Sequence, residues 1–379
     1  MFPLQIIFWL SVGLVLYAYA GYPLLLLALS RIRSRTVQKA PIQPPVSFII
    51  TAHNEQSRIR EKLDNTLQLA YPRDKLEIIV ASDCSTDGTD AIVQSYAPHG
   101  VQLVRSAERQ GKESAQNRAL GKASGEIVVF SDVATSLEPL AVRRLVENFA
   151  DPSVGCVSSV DRVIGTNGEV SGERAYVRYE MLLRSLEASV NSLVGLSGSC
   201  FAARRTACNP WREDLQSDFN TVLNSIRHGF RGVADPQVVG CYRDLASDRK
   251  EFSRKVRTIV RGITVLMNNL PLLNPFRYGM FAWQLFSHKL CRWLVPLWLI
   301  LAFVSNILMA TADGLYAILL ITQIAFYASG ALVLFSIDLP RLSLLKIPAY
   351  FLSSNLAIAA AWVKYFRGER FAVWQPSAR

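Results

Sequence analysis

The sequence has few of the residues that build metal centres or disulfide frameworks. Its six cysteines are scattered over 379 residues without a C-x-x-C pair, and its four histidines are equally dispersed. This spacing excludes a zinc site of the usual His/Cys kind and is typical of reduced, buried cysteines. Internal repeats and low-complexity stretches are also lacking. The part that carries the cysteines is therefore expected to be a reduced, cytosolic domain.

The N-terminus lacks charge. Residues 4–29 form an uncharged apolar run that is long enough to cross the roughly 30 Å hydrocarbon layer of a membrane. No basic residue precedes this run, whereas Arg31, Arg33, Arg35 and Lys39 follow it. A cleaved signal peptide has the opposite order, with its bases first. The pattern predicts an anchor with its N-terminus outside and the next domain in the cytoplasm.

The formal net charge of +11 raises the question of nucleic-acid binding. Much of the positive excess flanks apolar segments, where it follows the positive-inside rule and attracts anionic lipid. The sequence contains no DNA- or RNA-binding motif. We therefore expect membrane lipids as partners and no nucleic acid.

The chain becomes apolar again from about residue 271. Residues 274–292 mix aromatic and basic side chains, as in a helix lying at the membrane interface. Two long apolar segments follow at 293–310 and 315–335, and a third at 342–363 contains Lys346, Pro348 and Asn355. Three C-terminal spans would place the basic tail outside, against the charge rule. Two spans with a re-entrant or interfacial third segment keep it inside, and this topology is favoured over a tilted third span.

Between the two apolar ends, strand-like and helix-like patterns alternate. The apolar runs at 46–51, 76–82, 101–105, 126–131 and 154–159 predict strands, and amphipathic stretches separate them. Such alternation is typical of βαβ units and of an α/β fold with a mostly parallel sheet.

Three acidic residues follow strand-like runs or precede a helix in this region. Asp83 follows the second run, Asp132 follows the fourth, and Asp218 lies in Leu215–Phe219. In an open α/β sheet, ligands bind beyond the carboxyl ends of the strands. His53, Asn54 and Glu55 end the first run and would line the same crevice, although Asn54 is also an ordinary turn residue.

Together these motifs resemble the family 2 glycosyltransferases with the GT-A fold, a Rossmann-like α/β domain. The resemblance covers about residues 45–262 and includes membrane-anchored members of the family. It is carried, in order, by Val46–Glu55, Ile78–Thr89, Arg109–Asn117, Val129–Asp132, Gly198–Ser199, Asp218 and Arg254–Arg257.

The resemblance implies roles at the donor site. Asn54 and Glu55, with His53 beside them, would contact the nucleotide, and Asp83 the base or ribose. Lys112 would approach the diphosphate; taken alone, it could equally be a surface lysine. Asp132 matches the first acid of the family's D-x-D, which holds a divalent cation, Mg²⁺ or Mn²⁺, on the donor diphosphate.

One acid of that motif is missing, because the sequence reads Asp132-Val133-Ala134. Ala134 stands where the second acid is expected. Metal binding would then depend on Asp132, the donor's phosphates and water.

Asp218 resembles the family's catalytic base, which takes the proton from the acceptor hydroxyl in an inverting transfer. Family members usually carry another acid just before this position, whereas this chain has Ser217. Glu213 and Asp214 are nearby acidic alternatives. From the residues alone, Asp218 could also be the N-cap of a helix over 219–228.

Further along, Gly198 and Ser199 match a family motif that we assign to the acceptor or diphosphate. Arg254 and Arg257 resemble the first and fourth positions of the Q/R-x-x-R-W motif of processive synthases, but Thr258 replaces the Trp. Two bases at i and i+3 share a helix face and could grip a diphosphate, or could simply lie under anionic lipid.

Six segments are predicted along the chain. They are a transmembrane anchor (1–30), a Pro-rich linker (31–45), a cytoplasmic GT-A domain (46–270), an amphipathic interface helix (271–292), transmembrane or re-entrant helices (293–365) and a basic cytoplasmic tail (366–379).

The expected activity is transfer of a sugar from a nucleotide-sugar, most plausibly a UDP-sugar, to a lipid-linked or saccharide acceptor in surface-glycan assembly at the inner membrane. A processive polysaccharide synthase and an inactive membrane partner of a glycan-assembly complex are the alternatives.

Overall fold

The computed structural model describes residues 1–164, 175–243, 248–335 and 346–371. These residues divide into two compact units. One unit contains the central sheet and comprises residues 26–247, 267–281 and 371–379. The other is mainly helical and comprises residues 1–25, 248–266 and 282–370. We call them the sheet unit and the helical unit.

The helices are numbered along the chain. In the first half they are α1 (Phe2–Leu16), α2 (Tyr22–Ile32), α3 (Ile59–Leu67), α4 (Thr89–Ser95), α5 (Lys112–Leu120), α6 (Ala141–Glu147) and α7 (Ala175–Val190). In the second half they are α8 (Ser217–Arg227), α9 (Asp248–Met267), α10 (Pro275–Leu285), α11 (Val295–Ala310), α12 (Gly314–Phe335) and α13 (Lys346–Phe366).

The sheet has eight strands. They are β1 (Val46–Ala52), β2 (Leu76–Ser82), β3 (Val101–Arg105), β4 (Ile127–Asp132), β5 (Ser136–Leu137), β6 (Val154–Ile164), β7 (Cys200–Arg204) and β8 (Arg231–Arg243). Their order across the sheet is β3-β2-β1-β4-β7-β6-β8-β5. The four strands β3-β2-β1-β4 are parallel, β7 is antiparallel to both neighbours, and β6 and β8 are parallel to each other.

The parallel strands are buried on both faces, which explains why they appear in the sequence as continuous apolar runs. Phe48, Ile78 and Val129 belong to a core cluster that includes Leu63 of α3 and Leu145 of α6. Helix α5 packs against β1, β2 and β3. The predicted α/β fold with a mostly parallel sheet is thus confirmed, with β7 and β5 as its antiparallel strands.

Several boundaries differ from the prediction. Strand β6 runs to Ile164 rather than ending at residue 159, because its backbone pairs with β8 past the polar Asp161 and Arg162. The two-residue strand β5 is too short to give a sequence pattern. The sequence over 172–192 also has helical spacing, and the start of this stretch lies outside the described residues.

Within the described residues, two helical segments are long and apolar enough to cross a membrane, Phe2–Ile32 and Gly314–Leu334. A third candidate is the pair Pro275–Cys291 and Val295–Ala310, which is bent by 61°. Helix α13 is not among these candidates. These segments correspond to the predicted anchor and to the predicted segments at 293–310 and 315–335; the membrane topology itself stays a prediction.

Candidate active site

The carboxyl ends of β1, β2 and β4 lie side by side. Thr51 of β1 is in register with Asp132 of β4, and Ala52 is in register with Ser82 of β2. Because the three strands are parallel, the residues that follow each strand meet at one edge of the sheet. The structure therefore brings the segments after β1, β2 and β4 together, as the sequence predicts.

The turn after β1 is held by hydrogen bonds to the turn after β2. The buried ring of His53 contacts the Asp83 carbonyl oxygen through Nδ1 at 2.7 Å. Asn54 has a positive φ of 52°, which asparagine tolerates better than most residues, and its Oδ1 accepts from the Thr86 amide at 2.8 Å. The exposed face of this turn is available to a nucleotide.

Glu55 is buried behind that turn. Its carboxylate accepts from the Arg58 guanidinium, with atoms 2.6 Å apart at the closest. Burial raises the pKa of Glu55, and the Arg58 charge only partly offsets this effect. In this structure Glu55 braces the turn, and its contact with a nucleotide stays a prediction.

Asp83 is fully buried and organises the loop before α5. Its carboxylate accepts from the Gln110 amide at 2.9 Å and from the Gly111 amide at 3.0 and 3.1 Å. Gly111 has a φ of 104°, a conformation that favours glycine. Asp83 therefore fixes the backbone that delivers Lys112, the first residue of α5; a base or ribose contact stays a prediction.

Lys112 is the centre of the site. Its Nζ donates to Asp132 Oδ1 at 2.5 Å and to the Gly198 carbonyl oxygen at 3.2 Å. Burial alone would lower the pKa of Lys112, but the carboxylates of Asp132, Glu113 and Asp218 together outweigh burial and the pKa is raised. Lys112 is thus a buried, ion-paired cation, and the surface-lysine alternative is wrong.

Asp218 lies against Gly198. A Cβ on Gly198 would come 2.7 Å from Asp218 Oδ2, so only glycine allows this approach. Helix α8 starts at Ser217 with Gln216 as its N-cap, which places Asp218 inside the first turn. The N-cap alternative for Asp218 is therefore wrong. Its carboxylate accepts from Gln216 Nε2 at 3.0 Å and from the Phe219 amide at 2.7 Å.

Asp161 is a carboxylate at this edge that the sequence analysis missed. Its Oδ1 accepts from the hydroxyls of Ser197 and Ser199, at 2.6 and 2.5 Å. It thereby fixes the loop that carries Gly198. Asp161 follows the apolar start of β6, which is the same signal that identified Asp132, but the strand continues past it.

Two further side chains brace the site without a sequence signal. Trp211 donates its indole N–H to the Glu113 carbonyl oxygen at 2.8 Å and stacks on Phe130 with centroids 5.2 Å apart. Lys62 of α3 is buried and donates to Ser131 Oγ at 2.7 Å and to the Thr135 carbonyl oxygen at 2.6 Å. Through these two hydrogen bonds Lys62 stabilises the turn that contains Asp132 and Ala134.

The predicted residues Arg254 and Arg257 are not in the sheet unit. Both lie on α9, which belongs to the helical unit apart from its last residue. Burial lowers the pKa of Arg257, and the neighbouring Arg261 and Arg254 charges lower it further. Trp374, in a tail whose sequence resembles that of processive synthases, lies outside the described residues.

The D-x-D position can offer a cation one protein carboxylate. Asp132 Oδ1 is bonded to Lys112, whereas Oδ2 makes no hydrogen bond to the part of the chain that the structure describes. No cluster of three or more His, Cys, Asp or Glu side chains suited to a metal occurs among the described residues. A single carboxylate fits the Mg²⁺ type of site, in which substrate phosphates and water complete the coordination.

The strand order of this sheet, with Lys112, Asp132 and Asp218 at its carboxyl edge, has the GT-A architecture that the motifs predicted. Residues 47–209 match the family model described as glycosyl transferase family 2. This stretch of the chain is therefore a family 2 glycosyltransferase domain.

Curated relatives match only part of the chain. A protein named probable glycosyltransferase YdaM of Bacillus subtilis (strain 168) is 35% identical over 127 residues, which are 32% of this chain and 30% of that protein. Poly-beta-1,6-N-acetyl-D-glucosamine synthase of Staphylococcus epidermidis is 27% identical over 159 residues, 40% of this chain and 38% of the synthase. The alignments thus span about a third of the length of these relatives.

A solved structure resembles nearly the whole chain. The mannosyltransferase PcManGT from Pyrobaculum calidifontis, in complex with GDP-Man and Mn²⁺, superposes with a TM-score of 0.72 at 25% identity. The superposition covers 96% of this chain and 100% of that one.

Proposed function

We propose that this chain is a membrane-bound inverting glycosyltransferase that moves a sugar from a nucleotide-sugar to a lipid-linked or saccharide acceptor. The cluster of Lys112, Asp132, Gly198 and Asp218 carries the proposal. It contains one carboxylate paired with a buried cation, and a second carboxylate that accepts from the neutral N–H groups of Gln216 and Phe219. The two acids therefore have different environments, as a donor-side acid and a base require.

Asp218 is the base in this reaction. An acceptor hydroxyl attacks the anomeric carbon in line as Asp218 takes its proton, and the bond from that carbon to the diphosphate oxygen breaks. The nucleoside diphosphate leaves with the bonding electron pair, and the configuration at the anomeric carbon inverts. Gln216 Nε2 and the Phe219 amide donate hydrogen bonds to the Asp218 carboxylate and so fix its orientation.

Lys112 is the cation that faces the leaving group. Its ammonium is buried and held between Asp132 and Gly198, so it needs little reorganisation when negative charge develops on the diphosphate. Asp132 would hold a divalent cation with the donor's phosphates, and such a cation stabilises a diphosphate leaving group when bound.

The donor class needs a direct screen. The resemblance of the motifs favours a UDP-sugar, whereas the mannosyltransferase with the similar structure was solved with GDP-Man. Both classes of donor belong in the screen, each with and without Mg²⁺ or Mn²⁺. Location at the inner membrane with a cytoplasmic sheet unit is part of this proposal, supported by the apolar segments Phe2–Ile32 and Gly314–Leu334.

Asp218→Asn tests the base. The amide keeps the shape of the side chain but accepts no proton, so transfer should fall by at least about a thousandfold while donor binding and fold are retained. Asp214→Asn is the matched control, because Asp214 is the nearby acidic alternative and pairs with Arg212 at the surface. Full activity of Asp218→Asn, or loss of activity in Asp214→Asn alone, would contradict the assignment.

Product analysis of the wild type separates the remaining alternatives. A single added sugar supports the proposal, in line with Thr258 in place of the Trp of processive synthases. A polymer from the purified enzyme would favour a processive synthase. Failure of every donor to turn over would favour a catalytically inactive partner.

A further inference from the structure

A cavity of about 210 Å³ opens on the sheet unit, away from the site described above. Ser153 and Arg231, which lie at the starts of β6 and β8, contribute to its lining. The register places Cys156 near the start of β6 level with Val128 near the start of β4. The cavity is therefore at the amino edge of the sheet, about one strand length, roughly 17 Å, from Asp132.

The lining is basic and aromatic. The described residues that line the cavity include three arginines (Arg35, Arg231 and Arg277), three aromatic residues (Phe230, Tyr278 and Phe281) and no carboxylate. Arg277 lies 5.3 Å from the Tyr278 ring centroid. Arginines that surround a concave space without a counter-charge are suited to a phosphate group, which a guanidinium binds through two parallel hydrogen bonds.

Hydrogen bonds hold the backbone at Arg35 in place. The Arg35 amide donates to the Ser189 carbonyl oxygen at 2.7 Å, and the Arg35 carbonyl oxygen accepts from Arg231 at 3.0 Å. Arg231 also forms a buried ion pair with Asp151 at 3.0 Å. The backbone at Arg35 is therefore fixed before any ligand arrives, which lowers the entropic cost of binding.

The positive charges of Arg231 and Arg33 repel that of Arg35. The pKa of Arg35 is lowered by burial first and then by the charges of Arg231 and Arg33, which Asp151 only partly offsets. Arg231 is already committed to Asp151 and to two backbone carbonyls. An anion in the cavity would relieve this repulsion at Arg35, and Arg277, which is also exposed, lines the same cavity and supplies a second cation.

The chain around the two exposed arginines indicates a lipid rather than a soluble phosphate. Arg35 follows the span candidate Phe2–Ile32 by three residues, and Ile32 is 84% exposed. Phe276, directly before Arg277, is 100% exposed. Cations next to exposed apolar side chains at the end of a span are typical of the head-group layer of a membrane.

We infer that this cavity is a binding site for the phosphate of an anionic phospholipid head group, held by Arg35 and Arg277. The site is separate from the transfer reaction and takes a ligand that is not consumed in it. Its test therefore uses binding and stands whether or not the proposed activity is found.

The full chain, purified in detergent, is titrated with three probes: dioctanoyl phosphatidylglycerol, dioctanoyl phosphatidylcholine and glycerol 1-phosphate. Native mass spectrometry counts the bound lipid, and the shift of the unfolding midpoint gives the apparent affinity. We expect saturable binding of one phosphatidylglycerol, at least tenfold tighter than binding of either other probe. Equal binding of phosphatidylcholine would overturn the anionic head group, and equal binding of glycerol 1-phosphate would overturn the lipid.

Arg35→Gln/Arg277→Gln is the decisive variant. It should lose at least tenfold in affinity for phosphatidylglycerol, because the phosphate loses both exposed guanidinium partners. The matched control is Arg73→Gln/Arg143→Gln, which removes two exposed arginines of the same unit that do not line the cavity. Unchanged binding in the first variant, or an equal loss in the control, would overturn the site, since an equal loss reflects net charge alone.

Discussion

At the residue scale, the approach of Gly198 to Asp218 is the most sensitive contact of the candidate site. The Asp218 carboxylate is at the end of a flexible side chain, so it can move aside at little cost to the stability of the fold. A methyl group on Gly198 would lie 2.7 Å from its Oδ2 and would force that movement. Position 198 should therefore control where Asp218, the proposed base, lies rather than whether the domain folds.

Gly198→Ala should lower kcat by about a hundredfold or more, because a displacement of this size misaligns the base with the acceptor hydroxyl. The unfolding midpoint should change little. Gly121→Ala is the control, since a Cβ there would meet only the Arg118 and Asn117 carbonyl oxygens, at 3.4 and 3.8 Å. Steady-state kinetics and thermal unfolding of both variants check the prediction; wild-type kcat in Gly198→Ala would contradict it.

Lys62 makes the stability of the fold depend on pH. Burial lowers its pKa from the ordinary value of 10.5 to about 8. Between pH 8 and 10.5 the unfolded chain binds a proton at this residue that the folded chain does not bind. The free energy of unfolding should therefore rise with pH over this window, by up to about 3 kcal/mol at roughly 1.4 kcal/mol per pH unit.

Lys62→Met removes this contribution. The difference in unfolding midpoint between wild type and variant should shift in favour of the wild type as pH rises from 8 to 10.5. Lys122→Met, at an exposed lysine of the same unit, should keep the wild-type slope. Parallel curves for wild type and Lys62→Met across this range would show that Lys62 does not titrate there.

The sequence predicted some residues of the site better than others. Asp83 and Asp132 could be placed because each follows a strand-like run and the sheet brings such positions together, whereas Lys112 was placed only by the family resemblance. Asp161 was missed although it follows the predicted end of β6 at residue 159, because its role depends on contacts with Ser197 and Ser199, which are distant in the sequence. The contact between Gly198 and Asp218 joins two loops, and no local pattern reports it.

At the element scale, the junction between β1 and β4 depends on one glycine. Gly125 precedes β4 and lies so close to β1 that a Cβ would come 2.4 Å from the Ser47 nitrogen. The Gly125 amide donates to Ser47 Oγ at 2.8 Å, which aligns the two strands from their first residues. The register that brings Asp132 beside Thr51 starts here.

Gly125→Ala should destabilise the fold by about 1–3 kcal/mol, because the atom it meets is backbone and cannot move without shifting a central strand. The thermal midpoint of unfolding measures the effect, with Gly121→Ala again as the control. A midpoint equal to that of the wild type would mean that β1 and β4 can separate at this end without cost.

The central elements were predictable because parallel strands are buried on both faces and give continuous apolar runs. The first residue of helix α8 was harder to predict. The sequence places it after Asp218, since aspartate is a frequent N-cap, whereas the structure starts it at Ser217. The choice between these two starts is made by the loop that holds Asp218 against Gly198, which is a tertiary contact.

At the scale of the whole molecule, the charge pattern predicts which loops face outward. The turn Thr311–Gly314 between α11 and α12 should lie outside the cell, and the linker after α2 should lie in the cytoplasm. Ala312→Cys should react with a membrane-impermeant maleimide in intact cells. Gln38→Cys and the wild type should react only after permeabilisation; labelling of Gln38→Cys from outside would reverse the predicted orientation.

The ion pair between Lys112 and Asp132 also affects which ligands can bind at the proposed donor site. In this structure the positive charge of Lys112 and the negative charge of Asp132 are paired with each other. An anionic ligand that binds Lys112 alone would leave the partly buried Asp132 carboxylate without its cation and next to the ligand's negative charge. Breaking a buried ion pair in this way is unfavourable. A diphosphate that arrives with a bound cation satisfies both members by exchanging partners with them. If the proposed donor site is right, free phosphate should therefore bind more weakly than a diphosphate that carries a cation.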